Sequence, residues 1–307
     1  MSIPKDLQKQ EKGLSDWCIL AGWRGSIAHN MYVPNSSPDS IDDKDTMHIC
    51  VPPIEYYFGL SQYGSRGTKE IKHNEWDIVV YELRKFIGLL EKGNPNVIAL
   101  LWLKEEQYIT KKPAGQLILE SRDIFACKNV YHSFSGYAHA QLYKMEHMAC
   151  KGYMGQKRKA LVEKFGYDTK NAAHLIRLLR MAIEFLGDGR MQVSRPDAKE
   201  LLQIKAGAWS LEKVKKEAEE LFKLSKEAFV RSKLPSEPNR RDVNQLCVNV
   251  IETFQETIER CTKEKDEEIK KYQRREDEHC RQIEEKDKEL EKLKDQLMYA
   301  RIPPDNG

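Results

Sequence analysis

The stretch SIDDKDTMHICV, residues 40–51, decides the fold. Positions 42–45 hold three carboxylates and a lysine, and apolar residues follow at once. Like charges this close cost free energy unless something positive sits among them. Read as a strand, the stretch alternates its side chains between two faces. Asp43 and Asp45 then share one face, about 7 Å apart. Asp42 and Lys44 take the other as a self-neutralising pair. A solvated acidic loop would not run on into MHICV. An EF-hand fails on spacing: counted from Asp43, Met47 stands fifth and His48 falls where the turn glycine belongs.

Two carboxylates on one strand face suit a hard divalent cation such as Mg²⁺. The later stretch WDIVVYE, residues 76–82, alternates and is rich in β-formers. Paired alongside, it lets Asp77 add a third oxygen ligand, with Glu70 and Glu82 as substitutes. Two ions a few ångströms apart can activate an attacking hydroxyl and neutralise a leaving pyrophosphate. Phosphates need a donor turn, and one lies upstream. CILAGW, residues 18–23, reads as a strand, and RGSIAHN, residues 24–30, turns it into a helix. Gly25 lets a phosphate approach the backbone, where N–H groups and the Ser26 hydroxyl can donate. Arg24 could touch a phosphate but reads better as a surface arginine.

The rest of the chain is mostly helical in pattern. Residues 1–18 read as a short amphipathic helix and 35–39 as a loop. LRKFIGLLEKG has helical period and a stop at Gly93. From about 113 to 230 helices dominate. The clearest starts at an Asp168 cap and runs to Gly187. On it Lys170, His174 and Arg177 form one polar stripe on an otherwise apolar helix. That stripe faces either a cleft or solvent. Lys157, Arg158 and Lys159 suit a phosphate backbone or a solvated lysine run. The aromatic mix YHSFSGYAHAQLYKMEH reads as core packing rather than a base-stacking surface. MQVSRP, residues 191–196, suggests a short strand, and 235–241 a linker. From Asp242 one long charged helix follows. In it Ile258, Ile269 and Cys280 recur at eleven residues, as do Cys261, Tyr272 and Ile283. Such a repeat fits a loose or right-handed coiled coil, hence a homo-oligomer, and equally a lone solvated helix.

Composition sets bounds. The chain has 307 residues, is 32% charged and carries a net charge of only +3, so charge alone does not announce a nucleic-acid binder. Mean hydropathy is −0.68, and no apolar run nears the ~20 residues a membrane span needs. Seven cysteines lie scattered without C-x-x-C or zinc spacing. A reduced, cytoplasmic protein with no membrane contact is expected.

Gly-Ser after a strand, then an Asp-x-Asp strand, then a lone Asp on a third strand resembles the DNA polymerase β-like nucleotidyltransferase superfamily. GSIAHNMYVPNSSPDSIDDKDTMHICVPPIEYYFGL, DIVVYELRKFIGLLEKGNPNVIALLW and YDTKNAAHLIRLLRMAIEFL narrow the resemblance. Together they are similar to the RNA-repair-pathway polymerase-β-like (RlaP-like) family, over residues 17–215. The resemblance implies that Asp43, Asp45 and Asp77 are the catalytic, metal-binding carboxylates. It implies that Gly25 and Ser26 cradle the triphosphate, and that Lys170, His174 and Arg177 border the nucleotide pocket. Relatives commonly carry glycine at the positions of Asn30 and His48. Asn tolerates a left-handed backbone, whereas His48 puts the strand's exit geometry in question.

The expected fold is an α/β (α+β) nucleotidyltransferase domain with a small mixed sheet over 1–112. A helical domain over 113–234 completes the nucleotide cleft, and a long C-terminal helix covers 242–300. The expected reaction moves a nucleoside monophosphate from an NTP, ATP among them, to an acceptor hydroxyl, using a two-Mg²⁺ site. An RNA end is the acceptor the resemblance favours. A protein or small-molecule acceptor, and a catalytically idle assembly module, are the alternatives.

Overall fold

The computed structural model describes residues 3–34, 43–147 and 156–299. Five strands form one mixed sheet: β1 (Cys18–Trp23), β2 (Lys44–Cys50), β3 (Thr68–His73), β4 (Trp76–Glu82) and β5 (Tyr108–Lys111), in the order β3-β4-β2-β1-β5. β2 and β4 are parallel, and every other pairing is antiparallel. The parallel register sets Asp45 opposite Asp77 and His48 opposite Val80. Strand alternation sorts β2 cleanly. Met47 and Ile49 join the main core on one face, and Cys50 packs with Ile78 and Val80 on the other.

The first helices are short: α1 (Lys5–Gln10), α2 (Gly25–Ala28) and α3 (Glu55–Phe58). The sequence suggested one helix over 1–18, but a 3-10 turn at Lys12–Leu14 interrupts it. A Cβ on Gly13 would lie 2.3 Å from Tyr63 Oη, so the chain crosses that ring closely only as glycine. α4 (Leu83–Glu91) buries Leu83, Phe86, Ile87 and Leu90 against the sheet. Each such side chain contributes about 1.5–3 kcal/mol. Gly93, at φ +60°, ends that helix region as expected. α5 (Pro95–Ile98) and α6 (Pro113–Glu120) follow.

Six further helices complete the described chain: α7 (Val130–His147), α8 (Gln156–Phe165), α9 (Thr169–Asp188), α10 (Ala198–Lys205), α11 (Leu211–Arg231) and α12 (Arg240–Tyr299). α9 is the hub, packed by α7, α10 and α11. Its N-cap is Asp168, and its C-cap is left-handed Gly189 rather than Gly187. Part-buried ion pairs fasten it. Arg195 grips Glu184 with both terminal nitrogens at 2.6 and 2.8 Å, and its Nε bonds Asp197 at 2.8 Å. Arg180 reaches Asp197, Glu200 and Glu217. One side of the aromatic stretch of α7 packs as core, with Phe134 fully buried, while His132, Tyr143 and His139 are exposed and the His139 ring stacks on Phe222 at 4.2 Å.

Residues 191–196 form no strand, which corrects the sequence reading. The segment does bury Met191, Val193 and Arg195 alternately. Its backbone meets one residue instead of a neighbouring strand: Val193 O accepts from His29 Nδ1 at 2.9 Å, and Arg195 N donates to His29 O at 3.4 Å.

The chain divides into two compact units, Met1–Phe254 and Gln255–Gly307. The start of α12 belongs to the first, where Val243, Leu246, Val250 and Phe254 join the main core. In the second unit Ile258, Ile269, Tyr272, Ile283, Leu290, Leu293 and Leu297 are exposed. All six described cysteines are free. Among the described residues no helix is long and apolar enough to cross a membrane.

Candidate active site

Asp45 and Asp77 stand side by side on the sheet face that carries the main core, one position beyond its apolar residues. Asp43 precedes β2 and is exposed, close enough to push the Asp45 proton affinity up. Asp42 and its expected pairing with Lys44 lie outside the described residues. Lys44 itself pairs with Glu75 and lies 5.4 Å from the Trp76 ring centroid. The two substitute carboxylates are elsewhere. Glu82 is buried and caps α4, accepting from Arg84 N at 2.9 Å and Lys85 N at 3.2 Å. Glu70 is exposed on the edge strand opposite Val79.

Gly25 and Ser26 face this pair from the end of β1. Gly25 has φ +60°, and a Cβ there would sit 2.0 Å from Asp45 Oδ2. Glycine adopts that backbone without strain and leaves the space beside the carboxylate open. The Ser26 hydroxyl is buried and has no hydrogen-bond partner among the described residues. An orphaned buried hydroxyl calls for a ligand or a solvent partner. Arg24 is not the surface arginine the sequence suggested. Its Nη2 donates to Asp77 Oδ1 at 3.0 Å and lies 3.9 Å from Asp45 Oδ1. A like-charge pair at the mouth of a buried sheet needs such a counter-ion, and the local sequence gave no sign of it.

Arg24, Gly25 and Asp45 line a cleft of about 180 Å³, whereas Asp43, Asp77, Ser26 and Lys170 are not among its lining residues. Trp23, Pro95, Asn96, His174 and Arg177 complete much of its wall. Burial pushes the Asp45 carboxyl up to about 6; Arg24 opposes this, Asp77 adds to it, Lys170 opposes it and Asp43 adds to it. Lys170 is thus within electrostatic reach of the pair. Arg177 donates to His29 Nε2 at 2.6 Å. His29 must therefore carry its proton on Nδ1, which bonds the Val193 carbonyl, and burial holds it neutral. Arg177 has no carboxylate partner among the described residues. Burial and the like charge of Arg195 push its pKa down to about 9, with Asp197 partly offsetting them. An anion entering the cleft would relieve that charge.

His29 and Asn96 are cleft residues the sequence reading did not single out. His29 stands four places after Gly25, one helical turn on, which was the available signal. His48 lies away from the cleft, buried in mid-strand. Its Nε2 is 3.2 Å from Thr46 Oγ1 and its Nδ1 3.7 Å from Cys18 Sγ. The pairing of β2 with β4 stays in register through His48, but its pairing with β1 shifts register between Leu20 and Cys18, opposite Ile49 and Cys50 at the strand exit. Asn30 takes φ +58°, the left-handed conformation expected of it. Lys159 is exposed, and the side chains of Lys157 and Arg158 lie outside the described residues.

The donor set fits a hard cation, because Asp45 and Asp77 offer oxygens only. No three His, Cys, Asp or Glu side chains among the described residues gather closely enough to hold a metal by themselves. Mg²⁺ does not require three: one or two carboxylates suffice when substrate phosphates and water complete the shell. No curated protein gives a significant match to the chain. The family model described as RlaP, RNA repair pathway DNA polymerase beta family, matches residues 6–275, and the chain belongs to that family.

Proposed function

We propose that the chain is a divalent-cation-dependent nucleotidyltransferase that transfers a nucleoside monophosphate from an NTP to an acceptor hydroxyl, releasing pyrophosphate. The family designation favours the end of an RNA strand as acceptor. One observation carries the reading: a glycine-serine turn, with a buried unpartnered hydroxyl, closes to 2.0 Å of one of two paired carboxylates if given a side chain. A turn that tight against a carboxylate pair holds phosphate oxygens beside the groups that would bind their counter-ion.

In this reading Asp43, Asp45 and Asp77 would hold Mg²⁺, which supplies charge neutralisation at the reacting phosphates when bound. Ser26 donates to a β- or γ-phosphate oxygen, and Gly25 leaves room for it. Lys170, His174 and Arg177 offer cationic or hydrogen-bonding contacts along the triphosphate. The acceptor oxygen forms a bond to the α-phosphorus as the α–β phosphoanhydride breaks. The hydroxyl proton passes to the Asp77 carboxylate, and pyrophosphate departs with the electron pair. Positioning and electrostatics supply most of the rate.

The test is α-labelled NTP, ATP first, incubated with the protein and Mg²⁺, with and without RNA ends. Label is expected on the RNA, and both Asp45→Asn and Asp77→Asn should abolish transfer. Transfer by Asp45→Asn at the wild-type rate would overturn the reading. The exposed apolar side chains of α12 beyond Phe254 support a second, independent element: self-association through that helix.

A further inference from the structure

Arg24 occupies the place between the paired carboxylates. It bonds Asp77 Oδ1 at 3.0 Å, and Asp45 Oδ1 is 3.9 Å away. Its own backbone is pinned, since Arg24 N donates to Asp45 O at 3.0 Å. The side chain is not walled in: 29% of it is exposed at the cleft. Its Nε is buried with no hydrogen-bond partner among the described residues. The guanidinium thus uses one edge on a carboxylate and leaves a donor unspent. Two residues along, the Ser26 hydroxyl is unspent as well.

A dication on Asp77 Oδ1 would compete with Arg24 for the same oxygen and repel its charge. Both cannot hold that atom at full strength. We propose that Arg24 is a built-in counter-ion that exchanges with the divalent cation and, once released, turns to the triphosphate beside Ser26. The inference rests on the reading that Asp45 and Asp77 hold a cation. Arg24 then has two successive anionic partners. It neutralises the carboxylate pair in the cation-free protein, and it adds a phosphate contact in the loaded one. Cation and nucleotide binding are coupled through this one side chain, and linkage requires the coupling to be reciprocal.

The exchange predicts effects of opposite sign from one substitution, which loss of structure alone would not produce. Arg24→Gln removes the charge but keeps a polar side chain of similar reach. In the full chain, Mn²⁺ alone, titrated with free ion followed by electron paramagnetic resonance, should bind roughly tenfold more tightly to Arg24→Gln, because a charge-assisted contact no longer competes. Binding of ATP at saturating Mn²⁺ should weaken by roughly tenfold. Unchanged or weaker Mn²⁺ binding by Arg24→Gln overturns the exchange, and unchanged or tighter ATP binding overturns the phosphate contact. Should Arg24→Gln fail to fold, the wild-type chain supplies the answer: its Arg24 Nε–H resonance must shift on adding Mg²⁺, and a resonance that stays put overturns the proposal. If wild-type Mn²⁺ binding survives Asp45→Asn unchanged, the cation reading beneath it fails instead.

Discussion

Gly25 shows how much one missing side chain can decide. Its φ of +60° and the 2.0 Å approach to Asp45 make two separate demands, one on the backbone and one on the space. Gly25→Ala should cost about 1–2 kcal/mol for the left-handed backbone alone. It should also push the Asp45 carboxylate out of register with Asp77. The expected result is a lowered thermal midpoint together with lost Mn²⁺ binding, read by denaturation and by metal titration. His48 makes a different demand. Burial pushes its pKa down to about 3, against an ordinary value of 6.5. Below pH 6.5 the unfolded chain takes up a proton that the folded chain refuses. Stability contributed by the neutral ring is therefore whole above pH 6.5 and drains away as pH falls toward 3, at up to about 1.4 kcal/mol per pH unit. His48→Val removes that proton from the balance. Urea unfolding at pH 7, 5.5 and 4.5 should show the variant losing stability less steeply than wild type. Some slope should persist, because buried His29 acts with the same sign.

Helix α9 brings His174 and Arg177 to the cleft, and its first turn depends on one cap. Asp168, almost fully buried, accepts from Asn171 N and from Asn171 Nδ2, each at 3.0 Å. Asp168→Ala should cost about 1–2 kcal/mol through the lost cap, and more through the stranded Asn171 amide. Lys170 sits in that turn, so ATP affinity should fall along with the melting temperature. Asp168→Asn keeps an acceptor and should lose less on both counts. The same helix was plain in the sequence, because cap and apolar body agree, although its stop falls at Gly189, two residues past the expected one. The sheet was legible only at its centre. β1, β2 and β4 announce themselves through apolar or alternating residues, since each is covered on both sides. β3 and β5 are the edges. TKEIKH and YITK are short, charged and half-exposed, as edge strands that avoid mispairing tend to be. Residues 191–196 misled for the converse reason: their alternation is real, but their backbone partner is the single residue His29. For the candidate site, spacing pointed to Asp43, Asp45, Asp77, Gly25 and Ser26, of which the structure sets Asp45 beside Asp77 and Gly25 against Asp45. Spacing could not join Arg24 to Asp77, because their 53-residue separation is closed only by the β1–β2 and β2–β4 pairings together.

The whole molecule separates what folds the cleft from what extends beyond it. The first turns of α12 bury Val243, Leu246, Val250 and Phe254, and the residues after Phe254 show only exposed or half-exposed side chains where described. Helicity there needs local support, and the sequence supplies it. Glu259–Lys263, Asp266–Lys270, Glu267–Lys271, Asp277–Arg281 and Glu284–Lys288 are spaced as i,i+4 pairs with the acid N-terminal. Each contributes roughly 0.2–0.5 kcal/mol, and less at high salt. Such pairs keep a helix formed without anchoring it to a core. A chain ended at Phe254 should therefore unfold at the same temperature as the full chain, within about 0.5 kcal/mol. Far-ultraviolet circular dichroism should lose helical signal in proportion to the residues removed. The stripe of Ile258, Ile269, Tyr272, Ile283, Leu290 and Leu297 should make the full chain sediment as a dimer and the shortened chain as a monomer. A shortened chain that melts markedly lower would show that the second unit contributes to the core. A full chain that sediments as a monomer at high concentration would leave the stripe as a solvated helix face, and the eleven-residue recurrence without a partner.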